Sequence, residues 1–262
     1  MVSSRLHDAV NEGLEQKWSP EQISARLEKE YPDDPEMKVS HETIYHTLYL
    51  QARGELRTEL KLTLRQGRAR RVSRSRTTLS RGKIPNMINI SERPAEADDR
   101  AVPDFWEGDL IIGKGSKSQV ATLVERTSRF TILVRIPYDR CAERVAALLA
   151  RKMETLPEFL RNSVTWDQGK EVARPAEFTV CTGLPVYFCD PHSPWQRGTK
   201  ENTNGLLRQY FPKSTDLSLH TQEELDRVAA ELNGRPREAL GWRKPIEIFE
   251  ELIAEHCVAM TD

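Results

Sequence analysis

The residues with the clearest capacity for chemistry are three acids, Asp109, Asp167 and Glu201. Asp109 lies in the apolar run "FWEGDLIIG", and a carboxylate inside a strand is costly to bury unless a partner compensates its charge. A metal ion would be such a partner, and a hydrogen-bonded carboxylate in a loop beside the strand is the alternative. Asp167 follows the apolar run "SVTW". Ligand groups gather at strand ends in open α/β sheets, although an aspartate that opens a turn is common too.

Glu201 lies in a polar stretch, "CDPHSPWQRGTKENTNG", that contains little to bury. On a helix that begins near Gln196, a step of about 100° per residue places Glu201, Gly205 and Arg208 along one polar stripe. Three hard oxygen donors without histidine or cysteine suit Mg²⁺ or Mn²⁺ better than zinc. Such a site matches two-metal phosphoryl transfer, in which one ion activates the attacking oxygen and the other stabilises the leaving oxygen.

The elements that must position these acids follow residue 100. Strand-like runs alternate with helical runs, and their order is β-β-β-α-β-α-β-α-α. The runs are "DFWEGDLIIG", "QVATLVERTS", "RFTILVRIP", "CAERVAALLARKMETL", "SVTWDQG" and "PVYFCD", with a short helical stretch between the last two and helices from about Gln196 and Thr221. This order predicts an α/β fold, a mixed sheet flanked by helices.

A small helical module precedes this region. In "WSPEQISARLEKEY", Ser19, Pro20 and Gln22 form a capping-box pattern that predicts a helix start, and Ser40 predicts a second one in "VSHETIYHTLYLQ". A further helix is expected around Leu6. The three helices favour a helix-turn-helix-type module, although a helical bundle without a role in DNA binding fits the pattern as well.

A basic segment links the two regions. The sequence "RQGRARRVSRSRTTLSRGK" from Arg65 to Lys83 contains no acid. Such arginines bind polyanions by neutralising phosphates, whereas a solvated linker is the alternative. We therefore expect a DNA-binding module over residues 1–64, a basic linker over 65–99 and a catalytic core over 100–256.

The composition sets broad limits. The chain has 262 residues, a formal net charge of -1 and 38% hydrophobic residues, which is typical of a soluble globular protein. It shows neither an apolar run of about 20 residues nor a signal-peptide pattern, so we expect a cytoplasmic protein. The cysteines have no spacing typical of zinc ligands or of a disulfide framework; they are Cys141, Cys181, Cys189 and Cys257.

Several motifs together resemble one known family. They are "FWEGDLIIG", "TWDQGKE", "DPHSPWQRGTKENTNGLLRQYFPKSTD", "WSPEQIS" and "VSHETIY", and they extend over nearly the whole chain. The sequence resembles transposases of the insertion-sequence-30 family, a branch of the DDE transposases with a retroviral-integrase-like, ribonuclease-H-like core. The interval from Asp167 to Glu201 is also the one that this family shows. The resemblance implies that Asp109, Asp167 and Glu201 bind two Mg²⁺ or Mn²⁺ ions.

The resemblance also implies a function and partners. The chain would cleave and join double-stranded DNA at the terminal inverted repeats of an element and in target DNA, as a homo-oligomer in the bacterial nucleoid. The expected DNA-binding residues are basic: Arg68, Arg70, Arg71, Arg74, Arg76, Arg197, Lys200 and Arg208. Alternatives are a catalytically silent DNA-binding remnant that interferes with full-length transposase, and a general nuclease. Because family members carry a further N-terminal helix-turn-helix, we expect a truncated copy or a missed upstream start.

Four other polar residues near these motifs are given other roles. Glu107 is interpreted as a charge at the rim of the site rather than a fourth ligand. Asp190 is interpreted as a turn former before Pro191, and Glu171 as a solvated loop charge. No catalytic role is expected for His192, which has no partner acid or nucleophile in the sequence.

Overall fold

The structure is a computed structural model, and its described residues form two compact units. One unit comprises Met1–Thr77 together with Asn233–Asp262, and the other comprises Thr78–Leu232. The domain limits expected near residues 64 and 99 lie outside the described residues. The described residues are 4–51, 87–94, 96, 102–137, 141–166, 175–190, 193 and 198–259, with only the backbone described at 49–51, 116, 142, 175–177, 181, 198–201 and 259.

Three helices form the N-terminal part of the first unit, as the sequence predicts. They are α1 (Ser4–Glu15), α2 (Pro20–Glu30) and α3 (His41–Gln51). The capping box of α2 is confirmed, because the Ser19 side chain accepts from the Gln22 backbone and the Gln22 side chain accepts from the Ser19 backbone. The Ser40 hydroxyl accepts from the Thr43 amide at 3.1 Å and so caps α3. The helices share a core of Leu6, Ile23, Leu27, Met37 and Ile44.

The C-terminal segment belongs to the same unit as these helices. Its helix α8 (Pro245–Ala259) is not among the predicted elements. The Arg26 guanidinium binds both carboxylate oxygens of Glu247, at 2.7 and 3.2 Å. The Gln22 amide donates to the Pro236 carbonyl at 2.7 Å. These contacts between the two ends of the chain explain why residues 233–262, most of which fall in the predicted catalytic core, group with the N-terminal helices.

The second unit is built on a six-stranded mixed sheet with the strand order β1-β6-β5-β2-β3-β4. β2 pairs antiparallel with β3 and parallel with β5, so it lies at the centre of the sheet. The strands are β1 (Ile88–Asn89), β2 (Phe105–Ile112), β3 (Gln119–Glu125), β4 (Thr131–Ile136), β5 (Ser163–Trp166) and β6 (Val186–Phe188). The predicted α/β mixed sheet is confirmed, and β1 is an additional edge strand.

Helices flank this sheet. They are α4 (Ala142–Glu154), α5 (Pro175–Thr182), α6 (Gly198–Tyr210) and α7 (Gln222–Asn233). α6 packs on β2 and β3, while α4 packs on β4 and α5. Side chains from α6 and α7 share one core with the sheet residues Ile111, Val120 and Leu133. No helix in the described part of the chain has both the length and the apolar character needed to cross a membrane.

Candidate active site

Asp109 is the fifth of the eight residues of the central strand β2 and is half-buried. Alternation along the strand places it on the same face as Ile111, which packs in the core under α6 and α7. Its register partner on β3 is Thr122, whose hydroxyl donates to the Asp109 backbone carbonyl at 3.3 Å. The side chain of Asp109 therefore emerges on the face of the sheet that α6 covers.

The contact that joins α6 to this carboxylate comes from Asn204. Its amide Nδ2 donates to Asp109 Oδ2 over 2.7 Å. The helix is held in place because Leu206, Leu207 and Phe211, which follow Asn204, are buried in the shared core. Asn204 is not among the predicted site residues, although it lies three residues after Glu201 and so falls on the same helical stripe.

Glu201 lies on α6, one turn before Asn204. Three residues of an α-helix rise about 4.5 Å, so the Glu201 backbone is one turn from the residue that contacts Asp109. Gly205, expected on the same stripe, is exposed, and a Cβ at this position would meet no atom of the described residues within 4 Å. No described side chain therefore covers the surface of α6 beside Gly205.

Arg208, two turns after Glu201, forms hydrogen bonds to the residue that follows α6 and to the last residue of β2. Its guanidinium donates to the carbonyl oxygens of Phe211 at 3.3 Å and Ile112 at 3.4 Å. Burial lowers the pKa of this guanidinium, and the charge of Asp109 acts in the opposite direction. Arg208 is therefore half-buried and binds backbone carbonyls, and its contact with DNA stays a prediction.

The structure brings together Asp109 and the helix that carries Glu201, but several predicted residues cannot be placed. Asp167 follows the last residue of β5 and lies outside the described residues. Lys200 is on α6, and its side chain, like that of Glu201, is not described. Also outside the described residues are Arg68, Arg70, Arg71, Arg74, Arg76, Glu171, His192 and Arg197.

The structure corrects the interpretation of Glu107 as a rim charge. Its side chain is 1% exposed, and its Oε1 lies 3.4 Å from Nε of Arg126, which is buried as well. A central strand is covered on both faces, so a charge on it needs a charged or hydrogen-bonding partner. Arg126 supplies one from the turn after β3, which the sequence pattern of β2 could not reveal.

Residues of β1 and of the segment after it form hydrogen bonds with β5 and with the residues after β6. Nη1 of Arg93 donates to the hydroxyl of Thr165 at 3.1 Å, and Thr165 is the register partner of Glu107. The Asn89 amide donates to Asp190 at 3.0 Å, while the Asp190 carbonyl accepts from the Ser193 amide at 3.3 Å. The latter bond agrees with the prediction that Asp190 forms a turn.

The donor chemistry of the described part of the site fits a hard cation. Asp109 offers a carboxylate that Asn204 orients, and carboxylate oxygens are the ligands that Mg²⁺ and Mn²⁺ prefer. Within the described residues there is no group of three His, Cys, Asp or Glu side chains that could hold a metal ion. Asp167 and the side chain of Glu201 are not part of that set.

Comparisons with known proteins find similarity over most of the chain. Residues 99–194 match the family model of the integrase core domain. The chain is 53% identical over 249 residues to the transposase for insertion sequence element IS1086 of Cupriavidus metallidurans, covering 95% of this chain and 73% of that protein. It is 48% identical over 252 residues to transposase InsI for insertion sequence element IS30A of Escherichia coli. The chain belongs to the insertion-sequence-30 family of transposases.

The likeness extends beyond the two transposases above. The transposase for insertion sequence element IS4351 of Bacteroides fragilis is 36% identical over 249 residues, which cover 94% of this chain and 73% of that protein. This chain spans 65% of the length of InsI. The catalytic core domain of BIV integrase aligns with 60% of this chain at 18% identity and a TM-score of 0.43.

Proposed function

We propose that this chain is a transposase that cleaves insertion-sequence DNA and transfers its strands with the help of divalent metal ions. Its family membership and its integrase core domain support this function. The observation that carries the proposal is the bond between Asn204 and Asp109, because it sets the helix of Glu201 against the strand of Asp109. Two of the three proposed metal-binding residues are thus on elements in direct contact.

The third acid, Asp167, is expected at the same end of the sheet. It follows Trp166, the last residue of β5, and consecutive Cα atoms are about 3.8 Å apart. Because β5 runs parallel to β2 with Thr165 beside Glu107, the same register continued by two residues would bring Asp167 beside Asp109. Asp167 also follows the carboxyl end of its strand, where ligand groups gather in open α/β sheets.

In the proposed reaction, Asp109, Asp167 and Glu201 would hold two Mg²⁺ or Mn²⁺ ions, which when bound would stabilise the attacking and leaving oxygens. Water attacks the phosphodiester at an element end, so that the P–O3′ bond breaks and a 3′ hydroxyl is released. This hydroxyl then attacks a phosphodiester of target DNA, forming a new P–O bond as an old one breaks. Asn204 orients the carboxylate of Asp109 by its hydrogen bond. No covalent enzyme intermediate forms.

DNA binding is proposed for two further parts of the chain. The helices α1–α3, which share one hydrophobic core, would act as a helix-turn-helix-type module. The arginine run of residues 65–83 would neutralise phosphates. Closer to the site, Arg197, Lys200 and Arg208 would contact DNA, and we infer that the protein acts on bacterial DNA as a homo-oligomer.

The test is cleavage of duplexes that carry candidate element ends, with and without Mg²⁺. We expect Mg²⁺-dependent nicking by the wild-type chain and its loss in Asp109→Asn, Asp167→Asn and Glu201→Gln. Each substitution removes a carboxylate charge but leaves the arginine run intact, so binding in a mobility-shift assay should persist. A wild-type chain that binds these ends without cleaving them would favour a silent DNA-binding protein and defeat the proposal.

A further inference from the structure

The glycine before Asp109 lies in direct contact with a buried tryptophan of the neighbouring strand. An ideal Cβ built on Gly108 would lie 2.0 Å from both Cε3 and Cζ3 of Trp166. Carbon atoms in contact are normally about 3.5–4.0 Å apart. Only a hydrogen atom therefore fits between this point of β2 and the indole ring. A glycine inside a strand is otherwise unfavourable, and its presence often marks such a close approach.

The indole ring has little room to move away from Gly108. Trp166 is 1% exposed, and it pairs in register with the buried Phe188 of β6. Its backbone carbonyl accepts a hydrogen bond from the Cys189 amide at 3.0 Å, which fixes the end of β5 against β6. A side chain larger than hydrogen at position 108 would therefore displace either the ring or one of the two strands.

Both partners of this contact immediately precede a proposed metal ligand. Gly108 is followed by Asp109, and Trp166 by Asp167. Successive side chains on a strand point to opposite faces, so the indole packs on the face of β2 opposite to the Asp109 carboxylate. The contact thus determines how closely β2 and β5 approach each other at the residues immediately before the two acids.

We propose that Trp166 is a positioning residue, whose packing on Gly108 sets the separation between Asp109 and Asp167 and hence the fit of the divalent cations. This inference rests on the proposed function. It predicts that a larger residue at position 108 weakens cation binding without removing a ligand. It also predicts that a smaller residue at position 166 relieves the defect.

The experiment measures Mn²⁺ binding to the full chain by electron paramagnetic resonance, alongside Mg²⁺-dependent cleavage of element-end DNA. The variants are Gly108→Ala, Trp166→Leu and the double variant. We expect Gly108→Ala to weaken Mn²⁺ affinity about 10- to 100-fold, the range found when groups that orient metal ligands are altered. The double variant should recover at least part of this loss, because a leucine side chain in place of the indole leaves space for the new methyl group.

A matched control separates positioning from general stability. Trp106, also on β2, is fully buried, and its indole N–H donates to the Leu160 carbonyl at 2.8 Å. We expect Trp106→Phe to lower the melting temperature but to leave Mn²⁺ affinity unchanged. If Gly108→Ala does not fold, the comparison of Trp166→Leu with Trp106→Phe decides, because only the former should weaken Mn²⁺ binding.

Two outcomes would overturn the inference while leaving the proposed function intact. One is a folded Gly108→Ala variant with wild-type Mn²⁺ affinity and cleavage. The other is a double variant that binds Mn²⁺ no better than Gly108→Ala alone. A wild-type chain that neither binds Mn²⁺ nor cleaves DNA would instead defeat the proposed function, and the positioning role with it.

Discussion

The side-chain amide of Asn204 donates a 2.7 Å hydrogen bond to the carboxylate of Asp109. The bond joins the central strand of the sheet to the helix that carries Glu201. An ionised carboxylate that accepts a hydrogen bond is held in one orientation, and charge-assisted bonds are stronger than neutral ones. Asn204 thus orients an acid that we propose to bind metal, although it supplies no charge itself.

Replacement of Asn204 by alanine should impair catalysis more than binding of DNA. The substitution removes the donor to Asp109, and loss of a group that orients a metal ligand typically lowers affinity or activity about 10- to 100-fold. We expect such a fall in Mg²⁺-dependent cleavage, measured under single-turnover conditions, with unchanged mobility-shift binding.

Asn202 provides the control for this substitution. It is exposed and lies two residues earlier on the same helix, so it points away from the stripe of Asn204. Asn202→Ala should retain most of the cleavage activity. Equal losses in Asn202→Ala and Asn204→Ala would show that α6 is sensitive to any change and would contradict an orienting role for Asn204.

The arginine run should control how DNA affinity depends on salt. The variant Arg68→Ala, Arg70→Ala, Arg71→Ala and Arg74→Ala removes four cations that we propose to contact phosphates. Each phosphate contact contributes about −0.9 to the slope of log affinity against log salt concentration for B-DNA. The slope should therefore become less negative, by up to about 3.6, in titrations between about 50 and 200 mM salt.

Exposed arginines of the second unit provide the comparison. Arg144 and Arg151 lie on α4 and Arg227 on α7, and all three are exposed. Their joint replacement by alanine should change the slope much less. A slope that stays the same in the variant of the arginine run would leave that segment as a solvated linker.

Most elements of the fold could be predicted because their signals are local. Ser19 and Gln22 cap α2 through neighbours within three residues, and the apolar run around Asp109 forms a strand as expected. The partner of Glu107 could not be predicted, since Arg126 reaches it from the turn after another strand. The Asn204 bond depends in the same way on how a helix packs on the sheet, which a helical stripe alone does not determine.

The contact between Gly108 and Trp166 shows the same limit. A glycine inside a strand indicates a close approach, but only the register of β2 beside β5 shows that Trp166 is the residue in contact. That register joins residues far apart in sequence, so no local pattern encodes it. The grouping of α8 with the N-terminal helices is likewise a contact between distant segments, which include Arg26 and Glu247.

The ion pair between Arg26 and Glu247 should stabilise the first unit. Burial opposes the charge of Arg26, but hydrogen bonds to Glu247 and Glu30 outweigh it and raise the pKa of Arg26. Burial would raise the pKa of Glu247, yet bonds from the Lys244 backbone and Arg26 leave it lowered. The folded state therefore favours ionised Glu247, and this contribution is present at neutral pH and is lost as the pH falls through the lowered pKa.

We expect Glu247→Ala to destabilise the first unit by about 1–3 kcal/mol, because it leaves the largely buried Arg26 without its main acceptor. The measurement is hydrogen exchange of the α2 amides in the full chain, since a chain of two units need not unfold in one step. Glu250→Ala, on the exposed side of α8, is the control. Equal exchange rates in both variants would mean that the ion pair adds nothing to stability.

Asp104 should make the second unit less stable at neutral pH than in mild acid. Burial raises the pKa of this carboxyl to about 6, with Glu125 and Glu96 adding to the rise and a hydrogen bond from Asn162 opposing it. The folded state thus binds the proton more tightly than the unfolded state does. Stability falls as the pH rises from the ordinary aspartate pKa of about 3.9 to about 6, and the loss is complete above that.

Asp104→Asn removes this charge while keeping the shape of the side chain. The backbone at position 104 has φ of 79°, a region that asparagine tolerates well. Because solvent screens a half-buried group, we expect a gain of about 1 kcal/mol at pH ~8, or about 2–4 °C in melting temperature. Thermal unfolding of both proteins from about pH 4.5 to about pH 8 should show the difference growing with pH. A difference that stays constant, or a variant that melts lower at the alkaline end, would mean that the Asp104 charge is well accommodated in the fold.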